Sequence, residues 1–198
     1  MSAPPQVRRL SWALWIAAVV LTAAGCASHS VLLTHQAPAT WGSEPGGYEV
    51  ARVTRVVDGD TIRVVILKAV DGPGRGAAPI GPEVPVRLIG IDTPESVKPG
   101  SPVECFGNEA SSAATALLEG RRVRMVKDVE DRDRYDRLLR YVYIGAEMAN
   151  ARLVANGYAH AYTYPPDVRH ADLFVELQRQ ARENNRGLWA PDTCHGLS

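Results

Sequence analysis

The chain has 198 residues, of which 45% are apolar, and its 22 basic residues balance 22 acidic ones. This length and apolar content suffice for one domain with a hydrophobic core. The balanced charge excludes a protein that binds nucleic acid through bulk positive charge, so any such site must be local.

The first 25 residues have the features of a bacterial export signal. Arg8 and Arg9 precede an apolar run, residues 12–24, that is too short to span a bilayer but normal for a signal peptide. Small residues end the run directly before Cys26, as at the lipidation site of bacterial lipoproteins. An ordinary signal with a chance cysteine is the alternative. We expect Cys26 to anchor the protein on the outer face of the cytoplasmic membrane; without lipid it would be periplasmic or secreted.

The rest of the chain divides into a tether and a domain. Residues 26–47 are rich in Ser, Thr, Ala, Pro and Gly without periodicity, which predicts a flexible tether. Residues 48–198 form the predicted folded domain. Cys105 and Cys194 are the cysteines left after lipidation, and we expect them to form a disulfide in an oxidising compartment.

The domain begins with a predicted β-hairpin. Two β-branched segments flank Asp58-Gly59, a dipeptide typical of tight hairpin turns. Further segments of this kind bring the prediction to five strands, which are residues 49–57, 61–67, 86–91, 122–126 and 138–144. The Pro- and Gly-rich segment 69–85 predicts an exposed loop.

Three helices are predicted from apolar residues at helical spacing. The first lies between Phe106 and Leu117, and the others are residues 148–156 and 167–185, with Asp167 as the N-cap of the last. The order β-β-β-α-β-β-α-α predicts an α+β domain built on an OB-fold five-stranded β-barrel with three α-helices. This fold commonly binds nucleic acid or sugars but does not by itself establish a function.

Four charged residues are not explained by the predicted fold. The hairpin does not require a carboxylate at Asp60, and Arg87 lies within an apolar strand, which is costly unless it has a partner or an anionic ligand. Asp92 and Glu95 follow at the end of that strand. Strict alternation places Arg87 and Asp92 on opposite faces, so they can share a site only if the strand bends, and Gly90 is the predicted bend.

A second group combines arginine with tyrosine. Tyr135 and Arg137 are two residues apart before the fifth strand, and Tyr162 and Tyr164 repeat that spacing. Each pair alone is weak evidence, because charged turns are usually solvated and paired tyrosines usually pack at a core edge. Together with the carboxylates they indicate phosphodiester chemistry. Carboxylates bind Ca²⁺ or Mg²⁺, arginines hold phosphate, and tyrosines stack on unpaired bases.

These residues lie in motifs that resemble the staphylococcal nuclease (thermonuclease) family. The motifs follow the family's order over roughly residues 48–190, and they are VDGDT (57–61), VRLIGIDTPE (86–95), ECFGNEA (104–110), DRYDRLLRYVY (133–143), YAHAYTY (158–164) and RGLW (186–189). The resemblance implies a Ca²⁺-dependent enzyme that hydrolyses the phosphodiester bonds of DNA and RNA, with single-stranded regions favoured. It implies no protein partner, and we expect a monomer.

The resemblance also assigns roles to residues. The implied metal ligands are Asp60, Asp92 and the backbone carbonyl of Thr93, with Asp58 beside them. The implied catalytic residues are Arg87 and Arg137, which hold the phosphate, and Glu95, which acts as general base or positions the attacking water. The implied nucleotide contacts are Arg134, Tyr135, Tyr162 and Tyr164.

Three features depart from the family. Asp136 stands where the family often has glycine, and we expect it to adopt left-handed backbone angles so that Arg137 still reaches the site. Segment 69–85 is an insertion that would cover or extend the groove. The domain also lacks net positive charge, which lowers the expected affinity for polymeric substrate at high salt.

Two other functions compete with a nuclease. A catalytically inactive OB-fold lipoprotein that binds nucleic acid is one, but inactive members typically lose acidic or arginine positions. All six are present here, namely Asp60, Arg87, Asp92, Thr93, Glu95 and Arg137. A structural envelope lipoprotein without a ligand is the other, and it does not account for Arg87 within an apolar strand.

Overall fold

The computed structural model describes residues 44–96, 100 and 102–194. The predicted signal peptide, Cys26 and most of the predicted tether lie outside these residues. No helix within the described part of the chain combines the length and the apolar character needed to cross a membrane.

Five of the eight strands in the described part of the chain, β1, β2, β3, β5 and β6, close into a barrel. The eight strands in chain order are β1 (Tyr48–Asp58), β2 (Thr61–Val70), β3 (Glu83–Leu88), β4 (Ile91–Asp92), β5 (Arg122–Val126), β6 (Leu138–Ile144), β7 (Glu147–Met148) and β8 (His160–Ala161). Antiparallel pairing runs β3-β2-β1-β5-β6, and parallel pairing of β3 with β6 closes the ring. The two-residue strands β4 and β8 pair outside it. The predicted OB-fold barrel is confirmed.

The barrel interior is filled by residues that alternate along the strands. Val53, Ile62, Val64, Val86 and Leu88 are fully buried, while their neighbours point outward. This period of two is the pattern that a strand with one buried face requires. Because the interior is filled by side chains, a ligand must bind on the outside of the barrel.

Three helices complete the domain, in the predicted number and order. They are α1 (Gly107–Leu118), α2 (Ala149–Ala155) and α3 (Ala171–Glu183), followed by a short 3₁₀ turn (Gly187–Trp189). The N-cap prediction for Asp167 is wrong, because α3 begins at Ala171 after His170. The Asp167 carboxylate instead accepts hydrogen bonds from the backbone N–H groups of Val129 and Glu130, at 2.9 and 3.0 Å.

A buried ion network lies beneath the loop between β2 and β3. Arg140 and Glu49 are both 0% exposed, and Arg140 donates to the two Glu49 oxygens at 3.0 and 2.9 Å and to Asp131 Oδ1 at 2.7 Å. Such a charge is tolerated in the interior only when it is paired and fully hydrogen-bonded. The network fixes the segment that precedes β6 to the barrel.

The inserted loop does not extend the groove. The flanking strands β2 and β3 extend into the predicted loop segment 69–85, so the loop itself consists of residues 71–82. Gly76 N donates to Glu49 Oε1 at 2.9 Å, and Ala78 is buried. The loop therefore covers the buried network, while most of its residues are exposed, as predicted.

Both ends of the described domain are attached to its core. Glu44 lies within the predicted tether, yet its buried carboxylate contacts Tyr143, Arg169 and His170, so the folded part begins at least four residues before Tyr48. At the other end, Cys105 and Cys194 are joined by a disulfide across 89 residues, with their Cα atoms 5.9 Å apart.

Candidate active site

The bend predicted at Gly90 brings Arg87 and Asp92 together. Gly90 has φ 82°, in the left-handed region that favours glycine, and a Cβ atom there would collide with the Phe174 ring. After this turn, Arg87 Nη2 donates to Asp92 Oδ1 at 2.6 Å and to the carbonyl of Ile91 at 3.0 Å. Two residues that an unbroken strand would point apart thus share one site.

Asp60 completes this cluster from the β1–β2 hairpin. Its side chain is only 2% exposed and forms an ion pair with Arg87 Nη1. Its Oδ2 accepts hydrogen bonds from Thr93 N and Thr93 Oγ1, at 3.1 and 3.2 Å. Gly59 allows this approach, because a Cβ there would overlap the Thr93 side chain.

This arrangement shifts the pKa values of Asp60 and Arg87. Burial raises the pKa of Asp60, and the neighbouring Asp92 charge acts in the same direction, while Arg87 and the Thr93 N–H oppose it incompletely. Burial works against the charged form of Arg87 too, but Asp60 and Asp92 outweigh it and hold the pKa of Arg87 above its ordinary value. Arg87 is therefore always protonated here.

Asp58 and Glu95 lie beside the cluster. Asp58 Oδ1 accepts hydrogen bonds from Gly59 N at 2.8 Å and Ser96 Oγ at 2.6 Å. Burial raises the pKa of Asp58, and the nearby Asp60 charge and a side-chain hydrogen bond with Glu95 raise it further. The Glu95 backbone is fixed separately, since its N–H donates to Glu104 Oε2 at 2.8 Å.

The donor chemistry of this cluster fits a hard cation. Within the described ranges, no three or more His, Cys, Asp or Glu side chains are arranged as a metal site. The metal ligands implied by the family resemblance are not such a group, since they are the carboxylates of Asp60 and Asp92 and the backbone carbonyl of Thr93. Ca²⁺ accepts carbonyls and water alongside carboxylates. A cation would also relieve the raised pKa of Asp58 and Asp60.

Arg137 approaches the same cluster from the start of β6. Its Nε donates to Asp133 Oδ2 at 2.7 Å, and its Nη1 donates to Thr61 Oγ1 at 3.4 Å. The Thr61 hydroxyl in turn donates to Asp60 Oδ1 at 3.0 Å. Asp136 has φ 64°, as expected for a residue in the usual glycine position, and Arg137 still reaches the site.

A groove of about 650 Å³ runs past these residues. Its walls include the implied metal ligand Asp92 and the implied phosphate and nucleotide contacts, namely Arg87, Arg134, Tyr135, Arg137, Tyr162 and Tyr164. The three tyrosines are each half or more exposed. The groove lining does not include Asp58, Asp60, Thr93 or Glu95. Asp60 adjoins the groove through its ion pair with Arg87. No residue of the inserted loop 71–82 lines the groove.

Sequence reasoning missed three residues that hold the site together. Thr61 bridges Arg137 and Asp60, Ser96 donates to Asp58, and Asp133 accepts from Arg137 and from the backbone N–H groups of Tyr135 and Arg137. Asp133 carried a detectable signal, because an Asp side chain in a turn commonly accepts from the backbone N–H two residues further along the chain. Thr61 and Ser96 carried none, since their contacts are set by the tertiary fold.

Comparison with known proteins agrees with this geometry. A family model described as Staphylococcal nuclease homologue matches residues 85–191. The thermonuclease of Staphylococcus hyicus is 37% identical over 139 residues, covering 70% of this chain and 75% of its own length. The thermonuclease of Staphylococcus intermedius is 39% identical, covering 69% and 74%. The SPbeta prophage-derived endonuclease YokF of Bacillus subtilis is 34% identical, covering 69% of this chain and 42% of its own. The chain therefore belongs to the staphylococcal nuclease family and is a nuclease.

Proposed function

We propose that this nuclease is Ca²⁺-dependent, hydrolyses the phosphodiester bonds of both DNA and RNA, and acts outside the cytoplasm. The observation that carries the proposal is the position of Arg87. Its guanidinium contacts Asp60 and Asp92 while lining a groove with Arg137 and three exposed tyrosines. A hard-cation donor set and two phosphate-binding arginines thus meet at the wall of one groove.

Asp60, Asp92 and the Thr93 carbonyl are the proposed ligands of Ca²⁺, with Asp58 supporting them. When bound, the cation would polarise a phosphoryl oxygen and neutralise charge that develops on it. The rigid environment of Asp60 supports this role, because two hydrogen bonds from Thr93 fix the orientation of its carboxylate.

Arg87 and Arg137 are proposed to hold the phosphate oxygens as their charge redistributes. A guanidinium presents several N–H donors in one plane and suits a phosphate better than a point charge does. Asp133 holds Nε of Arg137 and leaves its other nitrogens facing Thr61 and the groove. Because these donors are preorganised, little rearrangement is needed in the transition state.

Glu95 is proposed to accept a proton from the attacking water. The water oxygen forms a bond to phosphorus while the bond from phosphorus to the leaving oxygen breaks. Hydrogen bonding with Asp58 and the backbone bond to Glu104 support a defined position for Glu95.

The proposed nucleotide contacts are Arg134, Tyr135, Tyr162 and Tyr164. Exposed tyrosine faces stack on unpaired bases, which favours single-stranded regions.

The proposed location rests on the N-terminus and on the disulfide. Cys26, preceded by a signal-like segment, is the proposed lipidation site, and two or more acyl chains would anchor the protein stably. A disulfide between Cys105 and Cys194 is consistent with an oxidising compartment. Cys26→Ser should move the protein from the membrane fraction to the soluble fraction. Wild-type protein that is soluble and carries no lipid by mass spectrometry would contradict the anchor.

Nuclease assays test the activity directly. Purified full-length protein is incubated with DNA or RNA in Ca²⁺ or in EGTA, and products are resolved on gels. We expect degradation of both polymers in Ca²⁺, none in EGTA, and strong impairment in Asp60→Ala. Arg179→Gln, on the exposed face of α3, is the control and should cleave normally. Binding of nucleic acid without cleavage in any divalent metal would favour the inactive binding lipoprotein instead.

A further inference from the structure

The outer wall of the barrel carries arginines that face one another across strands. Arg52 on β1 is the register partner of Arg122 on β5, and Arg55 on β1 is the register partner of Arg63 on β2. Like charges placed directly opposite each other in a sheet are destabilising. We call Arg52, Arg55, Arg63 and Arg122 the arginine face.

A bulge in β1 places two of these arginines on the same side. Residues 52 and 55 of a regular strand would point to opposite faces. The register shifts between Val53 and Arg55, so Thr54 is an extra residue in β1. Val53 still points into the core, and both Arg52 and Arg55 are exposed on the outside. Bulges commonly redirect a side chain in this way.

The chain provides little negative charge to offset this face. Arg63 donates to Glu83 Oε2 at 2.6 Å, and Glu119 accepts from Val56 N at 3.1 Å. Among the ion pairs of the described residues, none involves Arg52, Arg55 or Arg122. The segments outside the description contain no Asp or Glu, because every acidic residue of the sequence lies within 44–96 or 102–194. The charge of Glu83 also interacts with Arg55. Arg52 and Arg122 are therefore the arginines of this face that have no acidic partner among the described residues.

The arginine face is continuous with the catalytic arginine. Thr61 on β2 is the register partner of Arg87 on β3, and Arg63 follows Thr61 by two residues on the same outer side of β2. Four neighbouring strands, β3, β2, β1 and β5, thus each carry an outward arginine. Three spacings of about 4.8 Å separate the outer strands, and the arginines are also staggered by four residues along β2, or ~13 Å. The diagonal from Arg87 to Arg122 is therefore ~19 Å, or about six nucleotides at the ~3.4 Å rise of one strand in a duplex.

We infer that the arginine face binds the phosphate backbone of the nucleic acid strand where it continues beyond the catalytic groove. The inference rests on the proposed nuclease function and adds a second contact surface to it. An anionic membrane surface offers similar charge, but the strand register that leads from Arg87 through Thr61 and Arg63 to the other arginines favours the substrate strand. A local row of arginines of this kind would allow a chain without net positive charge to hold a long polymer.

The test compares long and short substrates. The triple variant Arg52→Gln, Arg55→Gln, Arg122→Gln is measured beside wild type, and Arg63 is retained because it bonds Glu83. The control triple variant Arg75→Gln, Arg152→Gln, Arg179→Gln removes the same charge from arginines that are paired with acids. The substrates are a dinucleotide phosphodiester and a single-stranded 30-mer. Binding of a fluorescent 30-mer in EGTA is measured by anisotropy, so the result does not depend on cleavage.

We expect the triple variant to lose about tenfold in 30-mer affinity and in kcat/KM at moderate salt, while dinucleotide cleavage stays unchanged. The slope of log affinity against log salt should fall in magnitude by about 2, at ~0.7 for each lost phosphate contact. The control should resemble wild type. Equal 30-mer binding by wild type and the triple variant, or an equal loss in the control, would overturn the inference.

A separate experiment tests whether the arginine face binds an anionic membrane instead. In the Cys26→Ser background, which lacks the lipid site, both proteins are sedimented with phosphatidylglycerol vesicles. If the arginine substitutions abolish vesicle binding and spare 30-mer binding, the face serves a membrane and the inference is wrong. Failure of wild type to cleave even the dinucleotide would contradict the proposed function separately, since anisotropy still reports on the arginine face.

Discussion

The carboxylate of Asp92 accepts a hydrogen bond of 2.6 Å from Nη2 of Arg87, although only five residues separate the two in the chain. The left-handed turn at Gly90 makes this contact possible. The other terminal nitrogen of Arg87 pairs with Asp60 on the preceding hairpin. One planar guanidinium therefore contacts both carboxylates among the proposed metal ligands. Substitution of Arg87 tests whether this planarity matters.

Arg87→Lys should lower kcat by about 10²–10³-fold on a dinucleotide substrate at saturating Ca²⁺. Lysine keeps the charge but cannot reproduce the planar fork, and loss of one preorganised donor costs about this much in other enzymes. KM should change little, because the interaction is strongest in the transition state. Arg179→Lys on α3 is the matched control and should retain wild-type kinetics. Wild-type kcat in Arg87→Lys would show that the catalytic site lies elsewhere.

Glu95→Gln should reduce turnover by about 10²–10⁴-fold while substrate binding persists, because the amide keeps the shape of the carboxylate but cannot accept the proton. Single-turnover kinetics and anisotropy separate the two quantities. Tyr162→Ala should do the opposite, weakening binding and leaving the single-turnover rate at saturation nearly intact. If Glu95→Gln cleaves at the wild-type rate, Glu95 is not the base.

Local sequence features predicted the part of the site that is built locally. Arg87, Gly90 and Asp92 lie within six residues, so the spacing and the glycine were enough to predict the bend and the shared site, though not the direct contact. The contact from Asp60 required a second element but was indicated by the surplus carboxylate after the hairpin. At these positions, the alternation of a strand or the turn of a hairpin predicts the local structure, and a charged residue that this structure does not require marks the site.

Arg140 shows where the same reasoning fails. Like Arg87, it lies in an apolar strand, yet it is fully buried, is paired with Glu49 and Asp131, and does not line the groove described above. Its partners are 91 and 9 residues away in the chain, so no local pattern links them. An arginine in a strand therefore predicts a partner, and only the fold distinguishes a structural partner from a substrate. The contacts of Asp167 with Val129 and Glu130 and the contact of loop 71–82 with Glu49 also join distant parts of the chain, so the sequence did not predict them.

Glu49→Gln should destabilise the domain by about 3–5 kcal/mol, because it leaves the buried Arg140 without its main counter-charge. Urea unfolding followed by circular dichroism measures this change. Glu147→Gln removes the partner of Arg152 in an exposed ion pair and should cost less than about 1 kcal/mol. Equal effects of the two substitutions would contradict a structural role for the network.

Gly90→Ala should lower both stability and activity. The residue has φ 82°, and an added Cβ would also collide with Phe174 on α3. Gly120→Ala is the matched control, since Gly120 has φ 73° but open space where a Cβ would be. The control should cost about 1–2 kcal/mol from backbone strain alone, and Gly90→Ala should cost clearly more. Only Gly90→Ala should also reduce kcat, because it displaces Asp92. Equal losses in both variants would show that packing on Phe174 is unimportant.

The buried carboxylate of Glu44 should make stability depend on acid pH. Burial alone would raise its pKa, but hydrogen bonds with His170 and Tyr143 and the charges of His170 and Arg169 outweigh this and hold the pKa below its ordinary value of 4.5. A carboxyl whose pKa is lower in the folded state contributes stability above its unfolded pKa and loses it as pH falls through the folded pKa. Glu44→Gln should therefore unfold at lower urea concentration than wild type at pH 7, and the gap should narrow steadily below pH 4.5. A gap that stays constant from pH 7 to pH 3 would show that Glu44 acts through packing rather than through its charge.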